Sequence, residues 1–336
     1  MKIRRAAKAV VFGLALMALG PVLAQNQDAG KVLNNLFNSF SRPTQPSQPA
    51  QQPNNPAGAL GNILGGGNSG KAGVNPGELI QLLSQSGDNI GPAREVEIGR
   101  QLAAILLGSK PLHPDMVLQR YVNQLGRWIS LQSSRPDLPW TFAVLDDPGF
   151  NAFAAPGGYV FVTKGLIDRV PEEAELAGIL AHEISHVTGK HHLKAMRKTA
   201  RSGLLTQIIG SQIKNDVGGA FSQQLMALGR DMYARGLDQE DEFEADRVAV
   251  ALAARAGFDP YGLVAVLQNL RGAGRDNAAF TLTLSTHPPS EQRLDLIEKA
   301  MGNRLDGLAG LPSPTVHQRL EQIMAAARRN QQAPRN

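Results

Sequence analysis

Residues 180–192, LAHEISHVTGKHH, contain two histidines and a glutamate in the order H-E-x-x-H. His182 and His186 are four residues apart, so a helix would place their imidazoles on one face, with Cβ atoms about 5 to 6 Å apart. Two such nitrogens can bind one zinc ion and leave a position for water in its tetrahedral shell. Glu183 is suited to take a proton from that water. The apolar residues around these three favour a metal-dependent hydrolase over a helix with surface histidines.

A third ligand must come from elsewhere, and the candidate segment is DEFEAD, residues 241–246. Glu242 and Asp246 are four residues apart, so a helix places both carboxylates on one face. One carboxylate could bind the ion while the other accepts a hydrogen bond from a ligand histidine and fixes its orientation. Spacing alone is equally compatible with an acidic, solvated helix start, because further carboxylates crowd the same stretch.

Composition limits both the ligands and the partners. The 336 residues include no cysteine, so a metal must be bound through nitrogen and oxygen atoms. Residues 1–24 combine a basic start, a short apolar run and a compact end, which predicts a cleaved signal peptide. Cleavage removes four positive charges and lowers the formal net charge from +5 to +1, which argues against a nucleic-acid partner. The apolar run is too short for a stable membrane span of about 20 residues.

The mature chain divides into three parts. Residues 25–92 are rich in Gln, Asn, Pro, Gly and Ser, and they have too little apolar surface to offset the entropy of ordering, which predicts a flexible leader. Residues 93–302 are predicted to form the folded domain, and residues 303–336 a C-terminal helix with a polar tail. Residues 203–228 are apolar and glycine-rich, and a mobile flap over a cleft or ordinary helical core would explain them equally well.

Apolar periodicity predicts an α+β domain that is mostly helical, with a small antiparallel sheet. The helix that carries the H-E-x-x-H motif is predicted to begin at Pro171 and to end near Gly189, with acidic residues favouring its first turn. Strands are predicted at 140–145, 151–155 and 159–163. The other helices are predicted at 94–107, 114–131, 238–256, 261–270, 290–301 and 317–327.

The motifs HEISH and EFEAD together resemble the zinc metallopeptidase family of the CAAX prenyl protease and HtpX, and especially its secreted periplasmic BepA-type members. The resemblance covers about residues 94–300 and implies one Zn²⁺ per chain, bound by His182, His186 and Glu242. It also implies that Glu183 is the general base and that Asp246 is a catalytic carboxylate supporting a ligand histidine. The chain is expected to depart from the family in having no multiple membrane spans and no helical-repeat module.

Two further segments are similar to the same family. Residues 151–167 match a segment that forms an edge strand beside the active site there, and an open edge could pair with an extended substrate. In residues 286–294, His287 is a candidate fourth ligand or oxyanion donor, and a loop histidine that fixes a turn is an equal alternative. Arg293 is expected to be structural. Surface positions are expected for His113, His191, His192 and His317.

With the resemblance, the sequence predicts a zincin-like zinc endopeptidase of the Gram-negative periplasm. Its expected activity is the hydrolysis of peptide bonds in misfolded or stalled cell-envelope proteins. Its expected partners are unfolded or misfolded polypeptides and the outer-membrane assembly machinery, with no stable membrane span after signal cleavage. Two alternatives remain open: a chaperone-like outer-membrane assembly factor whose zinc site is mostly closed, and a structural zinc protein without turnover.

Overall fold

The computed structural model describes residues 90–201, 236–273 and 277–332. The predicted signal peptide, nearly all of the predicted leader and the segment 203–228 lie outside these residues, and the domain bounds stay a prediction. None of the described helices is both long enough and apolar enough to cross a bilayer.

The described elements follow one another in this order: helices α1 (Pro92–Ser109) and α2 (Met116–Ser130), strands β1 (Thr141–Leu145), β2 (Ala152–Ala155) and β3 (Tyr159–Thr163), and helices α3 (Lys164–Ile167), α4 (Glu173–Thr188), α5 (His191–Arg201), α6 (Gln239–Arg255), α7 (Gly262–Gly272), α8 (Thr281–Thr286), α9 (Ser290–Met301) and α10 (Val316–Gln332). The predicted α+β class, mostly helical, is confirmed. The sequence pattern does not predict α3, α5 or α8. Helices α3 and α8 are too short to show periodicity, and the large apolar residues of α5, Leu193 and Met196, stand in a basic run that resembles a solvated surface.

The sheet is mixed, which corrects the prediction of an antiparallel sheet. Its order is β1-β3-β2, with β1 parallel and β2 antiparallel to β3. Strands β1 and β3 are buried throughout, whereas the edge strand β2 is partly exposed. Residues 146–158 join β1 to β3 and provide the dozen or more residues that a parallel pair requires.

Helix α4 is the centre of the domain. All of its residues from Glu173 to Val187 are buried, and it packs against α2, α6, α7 and β2. The side chains of Leu176, Leu180 and Ile184 are fully buried. A helix surrounded on all sides can place polar residues in a site shielded from water, which is what metal chemistry requires.

Ion pairs fix both ends of α4. Near its start, Arg319 of α10 donates two hydrogen bonds to the Glu173 carboxylate, at 2.8 and 2.7 Å. Near its end, Arg135 donates to the Val187 carbonyl at 3.2 Å and forms a two-point ion pair with Glu95 of α1, at 2.8 Å for each bond. These partly buried, two-point pairs have the geometry in which ion pairs contribute to stability.

Two glycines bring the backbones of α4 and α7 close together. A Cβ atom at Gly178 would lie 2.7 Å from the backbone nitrogen of Leu263, and one at Gly262 would lie 2.2 Å from the Ala174 carbonyl oxygen. Each helix therefore presents a glycine to the backbone of the other, and larger residues would force the helices apart.

We expect Gly178→Ala to lower the free energy of unfolding by about 1 to 3 kcal/mol, since the added methyl overpacks a rigid contact. Urea denaturation at pH 7 measures the change. Gly272→Ala is the matched control, because Gly272 ends α7 and a Cβ atom there would meet nothing within 4 Å. Equal unfolding free energies for the two variants would contradict the close approach.

Candidate metal centre

Three buried side chains from two helices converge on one point. His182 and His186 extend from α4, and their Nε2 atoms are 2.9 Å apart. Glu242 extends from α6, with Oε2 3.5 Å from His182 Nε2 and Oε1 3.6 Å from His186 Nε2. The three residues are each less than 5% exposed. We call these three residues the ligand cluster.

The ligand cluster fits a zinc ion. Donor atoms held 2.0 to 2.1 Å from a tetrahedral ion lie about 3.3 Å from one another, and the three separations fall on both sides of that value. Within the described residues, the buried Glu242 Oε2 has no hydrogen-bond partner. A buried carboxylate oxygen without a partner is costly, and a cation at the convergence point would compensate for it.

The outer nitrogens of both histidines have close polar neighbours. His182 Nδ1 lies 3.0 Å from Asp246 Oδ1, and Arg293 of α9 binds both oxygens of the Asp246 carboxylate, at 2.8 and 2.6 Å. His186 Nδ1 lies 2.9 Å from Nδ1 of His191, the first residue of α5. Such partners fix the orientation and tautomer of an imidazole so that Nε2 faces the metal.

Burial and charge together set the ionisation of this group. Burial raises the pKa of Asp246, but the charge and hydrogen bonds of Arg293 outweigh it and lower that pKa to about 2. Burial lowers the pKa of His182, but the neighbouring carboxylates of Asp246 and Glu242 outweigh it and raise that pKa to about 9. Because an imidazole binds a metal only in its neutral form, metal binding displaces a proton from His182.

Glu183 lies beside the ligands without belonging to them. It lines a cavity together with His186, Glu242 and the β2 residues Ala152 and Phe153. Burial, with a smaller contribution from the charge of Glu242, raises the pKa of Glu183 to about 7, against the opposing effect of His182. A general base acts best when its pKa is near the working pH.

His287 reaches the same cavity from the residue that follows α8. Its Nε2 lies 3.7 Å from Glu242 Oε2, and its Nδ1 lies 3.0 Å from the Thr283 carbonyl oxygen. A carbonyl oxygen only accepts, so this contact favours the tautomer with the hydrogen on Nδ1 and the lone pair on Nε2. The two cavities that border His287 each have a volume of about 40 Å³.

Strand β2 borders the site, as predicted for an edge strand. Asn151, Ala152, Phe153 and Ala154 line the cavity that contains Glu183, and the Phe153 ring lies edge-on to His192, with ring centroids 5.7 Å apart. A far larger cavity, of about 890 Å³, lies between the outer faces of α6 and α9 and includes none of the ligand cluster. Cavity size therefore does not locate this site, whereas the buried titratable side chains do.

The predicted surface positions of His191 and His192 are wrong. His191 is fully buried and His192 is 8% exposed, whereas His317 is exposed and His113 is half-buried. The turn at Gly189 and Lys190 returns the chain toward α4, so that both histidines lie next to the ligand cluster. The available signal was the pair of histidines immediately after the motif helix, in a chain with only seven.

An H-E-x-x-H helix, a glutamate from a second helix and a buried carboxylate base define a metallopeptidase-type site. A family model described as Peptidase family M48 matches residues 117–301. The chain belongs to peptidase family M48, a family that implies zinc as the metal.

Similar proteins come from bacteria and from mitochondria. The beta-barrel assembly-enhancing protease of Escherichia coli K12 is 31% identical over 222 residues, which are 64% of this chain and 45% of that protein. A putative beta-barrel assembly-enhancing protease of Vibrio cholerae is 31% identical over 229 residues, 66% of this chain and 46% of that protein. The mitochondrial metalloendopeptidase OMA1 of Schizosaccharomyces pombe is 30% identical over 179 residues, 53% of this chain and 52% of that protein. The chain thus spans about half the length of the curated relatives it matches.

We expect Glu183→Gln to stabilise the metal-free protein at alkaline pH. The pKa of Glu183 is about 7 in the folded protein against 4.5 ordinarily, so the folded state binds this proton more tightly than the unfolded chain does. Folded stability therefore falls as pH rises from 4.5 to 7, and the loss is complete above pH 7, where it amounts to roughly 3 kcal/mol. Glutamine has no charge to bury and escapes this loss.

The measurement is urea unfolding of both proteins in EDTA between pH 5 and pH 8. The advantage of the variant should grow across this range. Glu298→Gln, at an exposed position of α9, controls for the loss of one carboxylate. An advantage that stays constant with pH would show that the Glu183 carboxyl is not destabilised by burial.

Proposed function

We propose that this protein is a zinc-dependent endopeptidase that hydrolyses peptide bonds in misfolded or stalled cell-envelope proteins, with one zinc ion per chain. The observation that carries the proposal is the convergence of His182, His186 and Glu242 beside the buried Glu183. Two helices far apart in sequence supply these groups, and a buried, charged arrangement of this kind is costly unless a cation compensates for it.

Each residue of the site has a proposed role. His182, His186 and Glu242 hold the zinc ion, and Asp246 keeps the His182 ring in the ligand orientation. When bound, zinc supplies Lewis acidity, which makes water a nucleophile near neutral pH and polarises the scissile carbonyl. The Glu183 carboxylate takes the proton from the attacking water and passes it to the leaving amine, and its pKa of about 7 suits both transfers.

The edge strand β2 is the proposed docking site for the substrate backbone. The Thr163 N–H donates to the Asn151 carbonyl at 3.0 Å, which fixes the hydrogen-bonding phase of the β2–β3 ladder. Because hydrogen-bonded pairs alternate, Ala152 and Ala154 direct their backbone groups away from β3, and of these two residues Ala152 is the partly exposed one. An extended polypeptide can add to such an edge beside Glu183, and unfolded chains supply extended segments most readily.

We place the protein in the periplasm of a Gram-negative cell. Residues 1–24 have the features of a cleaved signal peptide. The relatives named for beta-barrel assembly support unfolded or misfolded envelope polypeptides as substrates, and the outer-membrane assembly machinery as a partner.

A second candidate is a chaperone-like assembly factor whose zinc site is mostly closed. The observation that favours it is the small space around His287, about 40 Å³ in each bordering cavity, where typical ligand pockets measure about 300 to 1,000 Å³. The lone pair on His287 Nε2 also suits a reversible fourth ligand better than an oxyanion donor, which would need a hydrogen there. Such a ligand would exclude water from the metal until the substrate displaces it.

We expect the zinc-loaded protein to cleave reduced, unfolded casein, and Glu183→Gln to lower the rate by about 10³-fold while keeping one zinc per chain. Gel electrophoresis measures the cleavage and metal analysis the zinc content. Glu240→Gln, at an exposed position two residues before Glu242, is the control. A zinc-loaded wild type that leaves casein intact would overturn the proposal, and full outer-membrane assembly by Glu183→Gln in cells would favour the chaperone-like role.

His287→Ala separates the two roles considered for His287. If His287 closes the site as a fourth ligand, its removal raises the cleavage rate, by tenfold for about every 1.4 kcal/mol that it contributes to closure. If His287 donates to the oxyanion, its removal lowers kcat by about 10²-fold to 10³-fold. We expect the rise. Steady-state kinetics on a short quenched peptide distinguishes the two signs.

A further inference from the structure

His191 occupies a position that the proposed reaction does not explain. It is the first residue of α5 and is fully buried, although imidazoles are seldom buried without a partner. Its Nδ1 lies 2.9 Å from His186 Nδ1. We infer that His191 is a positioning residue that holds the His186 ring with Nε2 toward the metal. This inference rests on the proposed zinc site and adds a residue to it.

The two rings can share only one arrangement of hydrogens when His186 binds a metal. Nε2 of His186 must then offer its lone pair, so its hydrogen is on Nδ1. That hydrogen points to His191, whose Nδ1 must accept it. The hydrogen of the neutral His191 ring is consequently on Nε2, on the side away from the ligand cluster.

The surroundings of His191 Nε2 favour this tautomer. Asp241 Oδ1 lies 3.6 Å from it and Glu244 Oε2 lies 3.8 Å from it, both on α6. Two negative charges favour the nitrogen that carries the hydrogen over the one with the lone pair. The same three residues are spaced so that they could hold a cation. A cation there would need the lone pair on Nε2. With Nδ1 also accepting a hydrogen bond from His186, His191 would have to be an anion. The hydrogen bond from His186 to His191 and a second metal site therefore exclude each other.

The backbone before His191 is shaped to admit its ring. Lys190 has a φ angle of +56°, which is uncommon for a residue with a side chain and lets α5 start two residues after α4. A Cβ atom at Gly189 would lie 2.2 Å from His191 Nε2, so the ring packs directly on the glycine. A strained turn and an obligatory glycine place this one imidazole against His186.

The two ligand histidines are therefore supported in different ways. His182 has a carboxylate partner, Asp246, which adds negative charge and makes a ligand more basic. His186 has a neutral imidazole, which orients the ring without adding charge next to the metal. Since Glu242 already supplies a negative charge, a neutral partner preserves more of the Lewis acidity of the ion.

The test is zinc affinity, measured on the full chain by competition with a chromophoric chelator. We expect His191→Leu to weaken zinc binding by about 10-fold to 100-fold, the usual cost of losing a ligand's orienting partner. His191→Gln should stay closer to wild type, since its amide oxygen can accept the hydrogen from His186. His192→Leu is the matched control for metal affinity, because His192 is a buried neighbour with no hydrogen bond to a ligand.

A role in packing alone would not change the metal environment, so the Co²⁺ absorption spectrum is the second readout. We expect the visible bands to shift in His191→Leu and to keep their wild-type positions in His192→Leu. Wild-type affinity and an unchanged spectrum in His191→Leu would overturn the inference. If His191→Leu does not fold in EDTA, Gly189→Ala is the second test, because its methyl displaces the His191 ring but keeps every hydrogen-bonding group. Weakened zinc binding by Gly189→Ala would support the positioning role of His191, and wild-type zinc binding would overturn it.

These outcomes separate the inference from the proposed function. If the wild-type protein binds no zinc at the ligand cluster, the proposed function itself is refuted. If the wild-type protein binds one zinc ion and the His191 variants bind it with equal affinity, only the positioning role of His191 is refuted.

Discussion

The contact between α4 and α6 is the constraint on which the rest of the structure depends. It removes two imidazoles and a carboxylate from water, and the free-energy cost of this desolvation is much larger than the gain from ordinary packing. The surrounding structure offsets that cost by pairing each group: Asp246 with Arg293, His182 with Asp246, and Glu242 with both histidines. The helices can remain in contact because most of these groups have a partner; the exception is Glu242 Oε2, which has no hydrogen-bond partner among the described residues and would be compensated by a cation.

Helix α6 supplies more than one ligand. Its first two turns contain Glu242, which faces the histidines, Asp246, which supports His182, and the two carboxylates near His191. Spacing alone could not distinguish this acidic start from a solvated surface, but four of its carboxylates lie near histidines of α4 and α5. Residues of the edge strand β2 line the same small cavity as Glu183, His186 and Glu242.

The sequence predicts those parts of this site that depend on local spacing. His182, His186 and Glu183 follow from the helical repeat, and burial of the motif helix follows from its apolar residues. Spacing could not choose between Glu242 and Asp246, because they share a face and only tertiary geometry distinguishes them; the resemblance to a family made that choice. The sheet order and the burial of His191 depend on contacts between distant elements, and Lys190 gives no sign of its unusual φ angle.

The ion pair between Glu173 and Arg319 has a consequence for where this domain ends. The family match stops at residue 301, yet Arg319 of α10 binds the first residue of α4, and Tyr121 donates to the same carboxylate. The Glu173 N–H also donates to the Pro314 carbonyl, and the Val316 N–H to the Pro171 carbonyl. A fragment cut at the family boundary would leave the start of the metal-binding helix with a buried, unpaired acid. The segment from Pro314 to Arg319 therefore supports the start of α4, and expression fragments should extend through α10.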